Sequence, residues 1–485
     1  MTFKCLSCAL LAKESTLRLA NPRILSLAPR RFNSTSKKQI HDKPTFIKPS
    51  LNYRYIRDNV DHILQNMVRR NYSGVDVKDV ARKYNSWCEM RTRLDQMLAH
   101  RNEVALKLQN KNISRETRTS LIEEGRKLKE EIQQSELRLN TEEQALLEQA
   151  LLIPNDTHPD APIGDESHAR VLRTFGLPPP PDHPNKNHLD IAQKLDLVDF
   201  ENAAKVSGTS FYYLKREAVL LELALIQHAL SKAVSHGYTP VTTPDLVRTE
   251  IAHGCGFRPR STEASQIYEI EDTDSSPLCL AGTAEIPLAG MHAGALLKHS
   301  DLPTRLVGIG RAFRREAGSR GAEDRGLYRV HQFTKVELFA FSLPQESEAM
   351  MGQMCELQEE IIRDLGLHYR LLDMPTEELG ASAYRKYDIE AWMPGRNGWG
   401  EISSLSNCTD YQSRRLNIRY QPPGVGAGNK KPHTEFVHTL NGTAVAIPRV
   451  IIAILEQYQT SDGRVAIPEV LQKYMGGCKY IESRK

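Results

Sequence analysis

Apolar residues recur at three- and four-residue spacing through Val77, Val80, Tyr84, Trp87, Leu94, Leu98, Ala105 and Leu108, interrupted by Arg91 and Arg101. A second run carries Leu121, Leu128, Ile132, Leu139 and Leu146. Between them, residues 110–114 (Asn-Lys-Asn-Ile-Ser) read as a turn. The pattern predicts two helices of about 33 residues folded into an antiparallel coiled-coil hairpin. At the rise of an α-helix this arm would project about 50 Å. So long a two-helix hairpin cannot bury its outer faces, which must meet solvent or a partner. Lys and Arg are frequent there, from Arg69 to Lys129, but acids are interleaved, and a solvated surface of i,i+4 pairs accounts for them equally well.

Beyond residue 190 the pattern changes. Helix-period runs at 216–236, 345–365 and 450–459 alternate with strand-like runs at 306–313, 328–341, 369–372 and 435–440. Long connections join several of the strands. This predicts an α+β domain, a mostly antiparallel sheet flanked by helices. Residues 154–184 are Pro-rich and include Pro178-Pro179-Pro180-Pro181, which reads as a connector without a core. The expected organisation is a terminal segment 1–41, a helical arm 51–153, a linker 154–189 and a chemical domain 190–485. In the strand 328–341, alternation puts Arg329, His331, Phe333, Lys335 and Glu337 on one face and Val330, Gln332, Thr334, Val336 and Leu338 on the other. A solvated strand of mixed charge is one reading. Apolar flanks favour a buried face made for a ligand with a ring, phosphates and an amine. Phe333 and Glu337 would stand about 13 Å apart, close to the span of an aminoacyl-adenylate.

Composition narrows the picture. The 485 residues are 40% hydrophobic and 26% charged, with net charge +4. Residues 1–41 hold eight Lys or Arg and one acid, so the other 444 carry 56 basic and 59 acidic groups and are slightly acidic. A globally basic nucleic-acid binder is excluded; such contacts would need a local patch. The first segment is rich in Arg, Ser and Leu with its cations dispersed, the composition of a mitochondrial presequence, with Arg30-Arg31-Phe32 as a processing site. A basic tail that binds RNA is the alternative. The implied destination is the mitochondrial matrix. No window of 18 consecutive apolar residues occurs, so no membrane association is expected. Of the eight Cys, Cys5 and Cys8 form a C-x-x-C in the segment expected to be removed, and the other six are scattered without metal-ligand spacing and are expected to be free thiols. Neither GxGxxG nor a P-loop is present.

Six ordered segments resemble the seryl-tRNA synthetase family. Residues 237–244 (Gly-Tyr-Thr-Pro-Val-Thr-Thr-Pro) resemble motif 1. Phe313-Arg314-Arg315-Glu316-Ala317-Gly318, through Arg325 to Glu337, resembles motif 2. Thr283-Ala284-Glu285 is similar to the family's serine triad, and residues 401–407 (Glu-Ile-Ser-Ser-Leu-Ser-Asn) to its metal and nucleotide segment. Leu440-Asn441-Gly442-Thr443-Ala444 with Pro448-Arg449 resembles motif 3, and residues 467–471 (Ile-Pro-Glu-Val-Leu) the C-terminal signature. The resemblance spans about 51–485, arm included.

It implies a class II fold and a two-step reaction on ATP, L-serine and tRNA(Ser). Arg314, Arg449 and Glu401 are the implied catalytic residues. Arg314, Glu316, Val330, Phe333, Glu401, Ile402, Ser403, Ser404 and Arg449 would bind ATP, with Phe333 stacked on adenine and Glu316 and the Val330 backbone reading its edge. Glu401 and Ser404 would hold Mg2+ through oxygen. Thr283, Glu285, Arg314, Glu337, Asn441 and Thr443 would surround serine. The arm would grip tRNA by shape, and motif 1 would build a homodimer. The competing reading is a non-catalytic synthetase-like RNA-binding or scaffold dimer. Retention of Arg314, Glu316, Glu401 and Arg449 favours the enzyme.

Overall fold

Asp76 accepts hydrogen bonds from the Lys78 and Asp79 amides and opens helix α1, Val77–Gln109. Ser114 opens α2, Arg115–Ala150, by accepting from the Thr117 amide. Both caps satisfy donors that a helix start leaves unpaired. The computed structural model describes residues 47–110, 112–257, 267–271, 277–316, 326–423 and 433–483. The expected presequence and residues 317–325 of the motif 2 resemblance lie outside them. Val80 and Tyr84 pack with Leu146 and Ala150, while Leu94 packs with Ile132 and Leu139, so the two helices run antiparallel. The predicted seam holds except near its tip. There Val104 is buried and Ala105 is exposed, because the seam continues from Leu94 through Met97 in a 3-4-3 order, not 4-3-4.

The base of the arm is bolted to the body through backbone carbonyls. Arg70, buried, donates from Nη1 to Asn155 O at 2.7 Å and from Nη2 to Gly380 O at 2.5 Å and Ala383 O at 3.1 Å. Asn155 Nδ2 donates to Ser382 O and Cys408 O, both at 2.9 Å. A buried guanidinium with its donors met in this way fixes direction as well as position.

The body is built on an eight-stranded sheet. In chain order the strands are β1 (Arg170–Phe175), β2 (Thr239–Thr242), β3 (Thr304–Phe313), β4 (Gln332–Ser342), β5 (Tyr369–Asp373), β6 (Arg385–Met393), β7 (Gly398–Asn407) and β8 (His438–Ala446). Their spatial order is β1-β5-β6-β7-β8-β4-β3-β2. All pairs are antiparallel except β2 with β3. The expected α+β class is therefore found, with one correction. Segment 154–189, read as a linker, supplies β1, an edge strand whose six residues are all exposed. With no buried face it carries no alternation to read.

Helices α3 (Glu217–Ser235), α5 (Ser347–Asp364) and α7 (Ile447–Gln457) cover one face of the sheet. Val336, Leu338 and Ala340 of β4 point into that core, with Leu225, Met354 and Ile451. Phe339 and Phe341 point to the other face, against Ile286 and Leu288 of α4 (Glu285–Gly290) and Leu416 of α6 (Tyr411–Leu416). The expected alternation on the return strand thus holds from Gln332 onward. It fails before that, where no ladder exists. Arg329 and His331 precede the strand, and Val330, assigned to the far face, is buried beside the candidate site.

Candidate active site

The residues that follow β3, strand β4, one stretch of β7, the end of β8 and the N-terminus of α7 enclose a cavity. Arg314, Glu316, Val330, Phe333, Glu401, Ile402, Ser403, Ser404 and Arg449, all nine residues expected at a nucleotide, line it, together with Leu327, Tyr328, Lys335, Thr443, Ala446 and Pro448. Glu401 to Ser404 do not share one side: Ile402 packs in the helix-covered core, and Ser403 Oγ donates to Thr443 O and accepts from Gln358 of α5. The pairing of β6 with β7 slips between Ile389 and Glu390, leaving Ile402 without a partner in that ladder. A bulge of this kind re-aims the side chains beside it.

Arg449 sits in the first turn of α7 behind Pro448, a position proline favours. Its Nη1 lies 3.3 Å from Glu401 Oε2, its Nε donates to Tyr328 O at 3.2 Å, and its guanidinium stacks 4.6 Å from the Tyr328 ring centre. Tyr328 also accepts the Glu401 amide at 3.1 Å through its hydroxyl. Burial pushes the Glu401 carboxyl upward, but Arg449 and then Lys386, Arg314 and Lys335 outweigh it and hold the group down at about 2. Glu401 is thus an anion at any physiological pH. Arg314 donates from Nε to Gly282 O at 3.3 Å and lies 5.4 Å from the Phe333 ring centre. Glu316 turns the chain after β3 with a left-handed backbone (φ +45°), and its carboxylate meets Arg329 at 3.1 Å.

The residues expected to surround an amino acid divide. Arg314 and Thr443 line the cavity. Thr283, Glu285, Glu337 and Asn441 form an adjoining polar cluster, with the first three buried. Lys335 joins the two: its Nζ is 2.7 Å from Glu337 Oε2 and 3.4 Å from Thr283 Oγ1. The Lys335–Glu337 contact has the distance of an ion pair without the angle of a hydrogen bond, and among the described residues Glu337 Oε2 has no hydrogen-bond donor. Asn441 donates to Glu285 Oε1 at 2.9 Å. Glu337 stands opposite Thr443 in the β4–β8 ladder, next to a register slip after Val336. Burial, reinforced by the Glu337 charge, pushes the Glu285 carboxyl up to about 7. Two buried carboxylates around one ammonium make a site for a cation that also hydrogen-bonds.

Three contributors were not assigned roles from sequence: Lys335, Tyr328 and Gln412, whose Nε2 donates to Glu285 Oε1 at 2.6 Å. Lys335 was on the predicted ligand face. Tyr328 and Gln412 carry no local signal, because their importance arises from contacts 121 and 127 residues away in the chain.

A model of the tRNA synthetase class II core domain (G, H, P, S and T) matches residues 268–458, and one of the seryl-tRNA synthetase N-terminal domain matches residues 51–157. Serine--tRNA ligase of Treponema denticola is 44% identical over 429 residues, 88% of this chain and 99% of that relative. The chain belongs to the seryl-tRNA synthetase family. Among other family members, mitochondrial serine--tRNA ligase of Mus musculus is 47% identical over 336 residues, 69% of this chain and 63% of that protein. The crystal structure of seryl-tRNA synthetase from Pyrococcus horikoshii complexed with ATP superposes with a TM-score of 0.79 at 34% identity, covering 90% of this chain and all of that one. The family's two-part organisation, arm and class II core, is the one described above.

Proposed function

We propose that this chain attaches L-serine to tRNA(Ser) through a seryl-adenylate. The observation that carries the reading is the union of one cavity, lined by nine nucleotide-site candidates, with a buried cluster of two carboxylates, an amide and a lysine. In the first step a serine carboxylate oxygen bonds to the α-phosphorus of ATP and the bond to pyrophosphate breaks. The nucleophile is ionised at neutral pH, so the residues supply positioning and charge rather than a base. Arg314 would clamp the α-phosphate and the serine carboxylate with its planar fork. Phe333 would stack on adenine, with Glu316 and the Val330 backbone at its edge, while Ile402 and Ser403 shape the wall. Arg449 would take the far phosphates. In the second step the terminal ribose hydroxyl of tRNA attacks the adenylate carbonyl and AMP leaves.

The oxygen donors Glu401 and Ser404 fit Mg2+, a hard cation that prefers carboxylate, hydroxyl and phosphate oxygens. Among the described residues no group of three or more His, Cys, Asp or Glu forms a complete ligand set, so phosphates would complete the shell. When bound, the ion would neutralise phosphate charge. Thr283, Glu285, Glu337, Asn441 and Thr443 would select serine by its ammonium and hydroxyl. Leaving such groups unpaired is what rejects alanine.

The arm, with its cations and its rigid root at Arg70, is read as the grip on tRNA by phosphate and sugar contacts. A homodimer is supported by α3, which exposes Val219, Leu220 and Leu223. Targeting to the mitochondrial matrix is supported by the composition of residues 1–41 and the likeness to the mouse mitochondrial protein. Serine-dependent exchange of pyrophosphate into ATP tests the function. Exchange with another amino acid, or none, would sink it. A fusion of residues 1–45 to a fluorescent protein tests the destination, and a cytosolic signal would overturn it.

A further inference from the structure

Gln412 lies in α6, 127 residues from Glu285, and is completely buried. Its Nε2 donates to Glu285 Oε1 at 2.6 Å and to Cys255 O at 3.3 Å. Its Oε1 accepts the hydroxyl of Thr439, also fully buried, at 2.7 Å. Thr439, Asn441 and Thr443 alternate along β8, so they share one face. Asn441 adds a second donor to Glu285 Oε1. Among the described residues no hydrogen bond reaches Glu285 Oε2. We propose that Gln412 is a positioning residue of the serine site, fixing the Glu285 carboxylate so that protein amides saturate Oε1 and Oε2 is the oxygen offered to the amino acid.

The direction of the relay follows from its chemistry. An amide presents an acceptor at one end and donors at the other. With the Thr439 hydroxyl donating to Oε1, Nε2 must face the carboxylate. The reversed amide would oppose two oxygens at the 2.6 Å contact. A carboxylate held through one oxygen by two amides cannot turn its other oxygen from the ligand without breaking both bonds. Glu337 and Lys335 of β4, Arg314 after β3, and the Cys255 and Cys408 thiols also act on Glu285 or are acted on by it. None of them replaces the amide donation, which favours the ionised form.

This inference rests on the serine reading, and one assay separates them. In serine-dependent ATP–pyrophosphate exchange, Gln412→Met keeps volume and removes the donor. KM for serine should rise about tenfold with kcat and KM for ATP nearly unchanged. The acid limb of kcat/KM for serine should move up by about half a pH unit, because Glu285 loses a donor to its anion. Thr439→Val, which removes the hydroxyl that holds the amide from behind, should act in the same direction more weakly, and Thr439→Ser should match the parent. An unchanged KM for serine, a parallel rise for ATP, or an unmoved acid limb overturns the proposal. Should Gln412→Met fail to fold, the Thr439 pair decides by the same criteria. If the parent enzyme itself shows no serine-dependent exchange, the function is refuted instead.

Discussion

The Arg314 guanidinium commits one nitrogen to Gly282 O and, among the described residues, makes no other hydrogen bond. Its remaining donors face the cavity beside Phe333. In the proposed transition state that fork meets charge that develops only as the phosphorus is attacked. Arg314→Ala should therefore reduce serine-dependent exchange by about a thousandfold or more, and Arg314→Lys should recover little, since a point charge does not replace a planar fork. Radioactive pyrophosphate exchange measures both. Glu285 makes a different prediction. Burial first, and the Glu337 charge second, raise its carboxyl to about 7. A raised carboxyl is protonated below that value, and the protonated form cannot accept at both oxygens. With this sign, kcat/KM for serine should fall as pH drops through about 7, while binding of ATP alone should not follow. Glu285→Gln should abolish the acid limb and weaken serine use; a limb that survives the substitution would assign it elsewhere.

At the scale of elements, α1 and α2 are held to the body through Arg70, Asn155 and Arg415, which donates to Ile153 O at 3.0 Å. None of these contacts belongs to the cavity lining. Removal of residues 85–140, joined by a short turn, should spare pyrophosphate exchange and abolish serine transfer to tRNA. Filter-bound aminoacylation beside the exchange assay reads the two steps apart, and charging that survives would refute the arm's role. Both arm helices were legible in sequence because caps, period and turn agreed within a local stretch. The ends of the ladder were not. Tyr328 to His331 read as strand by composition, yet His331 N donates to Ser210 O and Arg314 N to His331 O, contacts that replace the ladder and turn Val330 inward. The bulge at Ile402 was equally hidden, since register belongs to two strands at once. The nine nucleotide-site candidates came from motif resemblance. Gln412 did not, because a buried amide has no period, and its role lies in a distant carboxylate.

Across the whole molecule, the sheet ends on one side in β2, which among the described residues pairs only with β3 and is largely exposed. Directly before it, α3 buries Leu221, Leu225 and Ala229 against the core and turns Val219, Leu220 and Leu223 outward, Leu223 being 57% exposed. An apolar helix face beside an open sheet edge is the composition expected of a homodimer contact. The same elements reach the chemistry. Glu222 of α3 accepts from Thr334 of β4 and lies 3.7 Å from Arg311 of β3, two residues before the chain delivers Phe313 and then Arg314. Thr243, just past β2, donates its amide to Ile309 O at 3.3 Å. A second copy packed on α3 and β2 would hold the strand that presents Arg314 in register, and its loss would loosen that strand. Leu223→Glu places a charge at the centre of this face without touching the core, so the monomer should fold. Light scattering on the eluted protein should then give half the mass of the parent, and exchange activity should follow the fraction of dimer as concentration is raised. A fully dimeric Leu223→Glu variant would remove α3 from the interface, and a fully active monomer would sever the contact from catalysis.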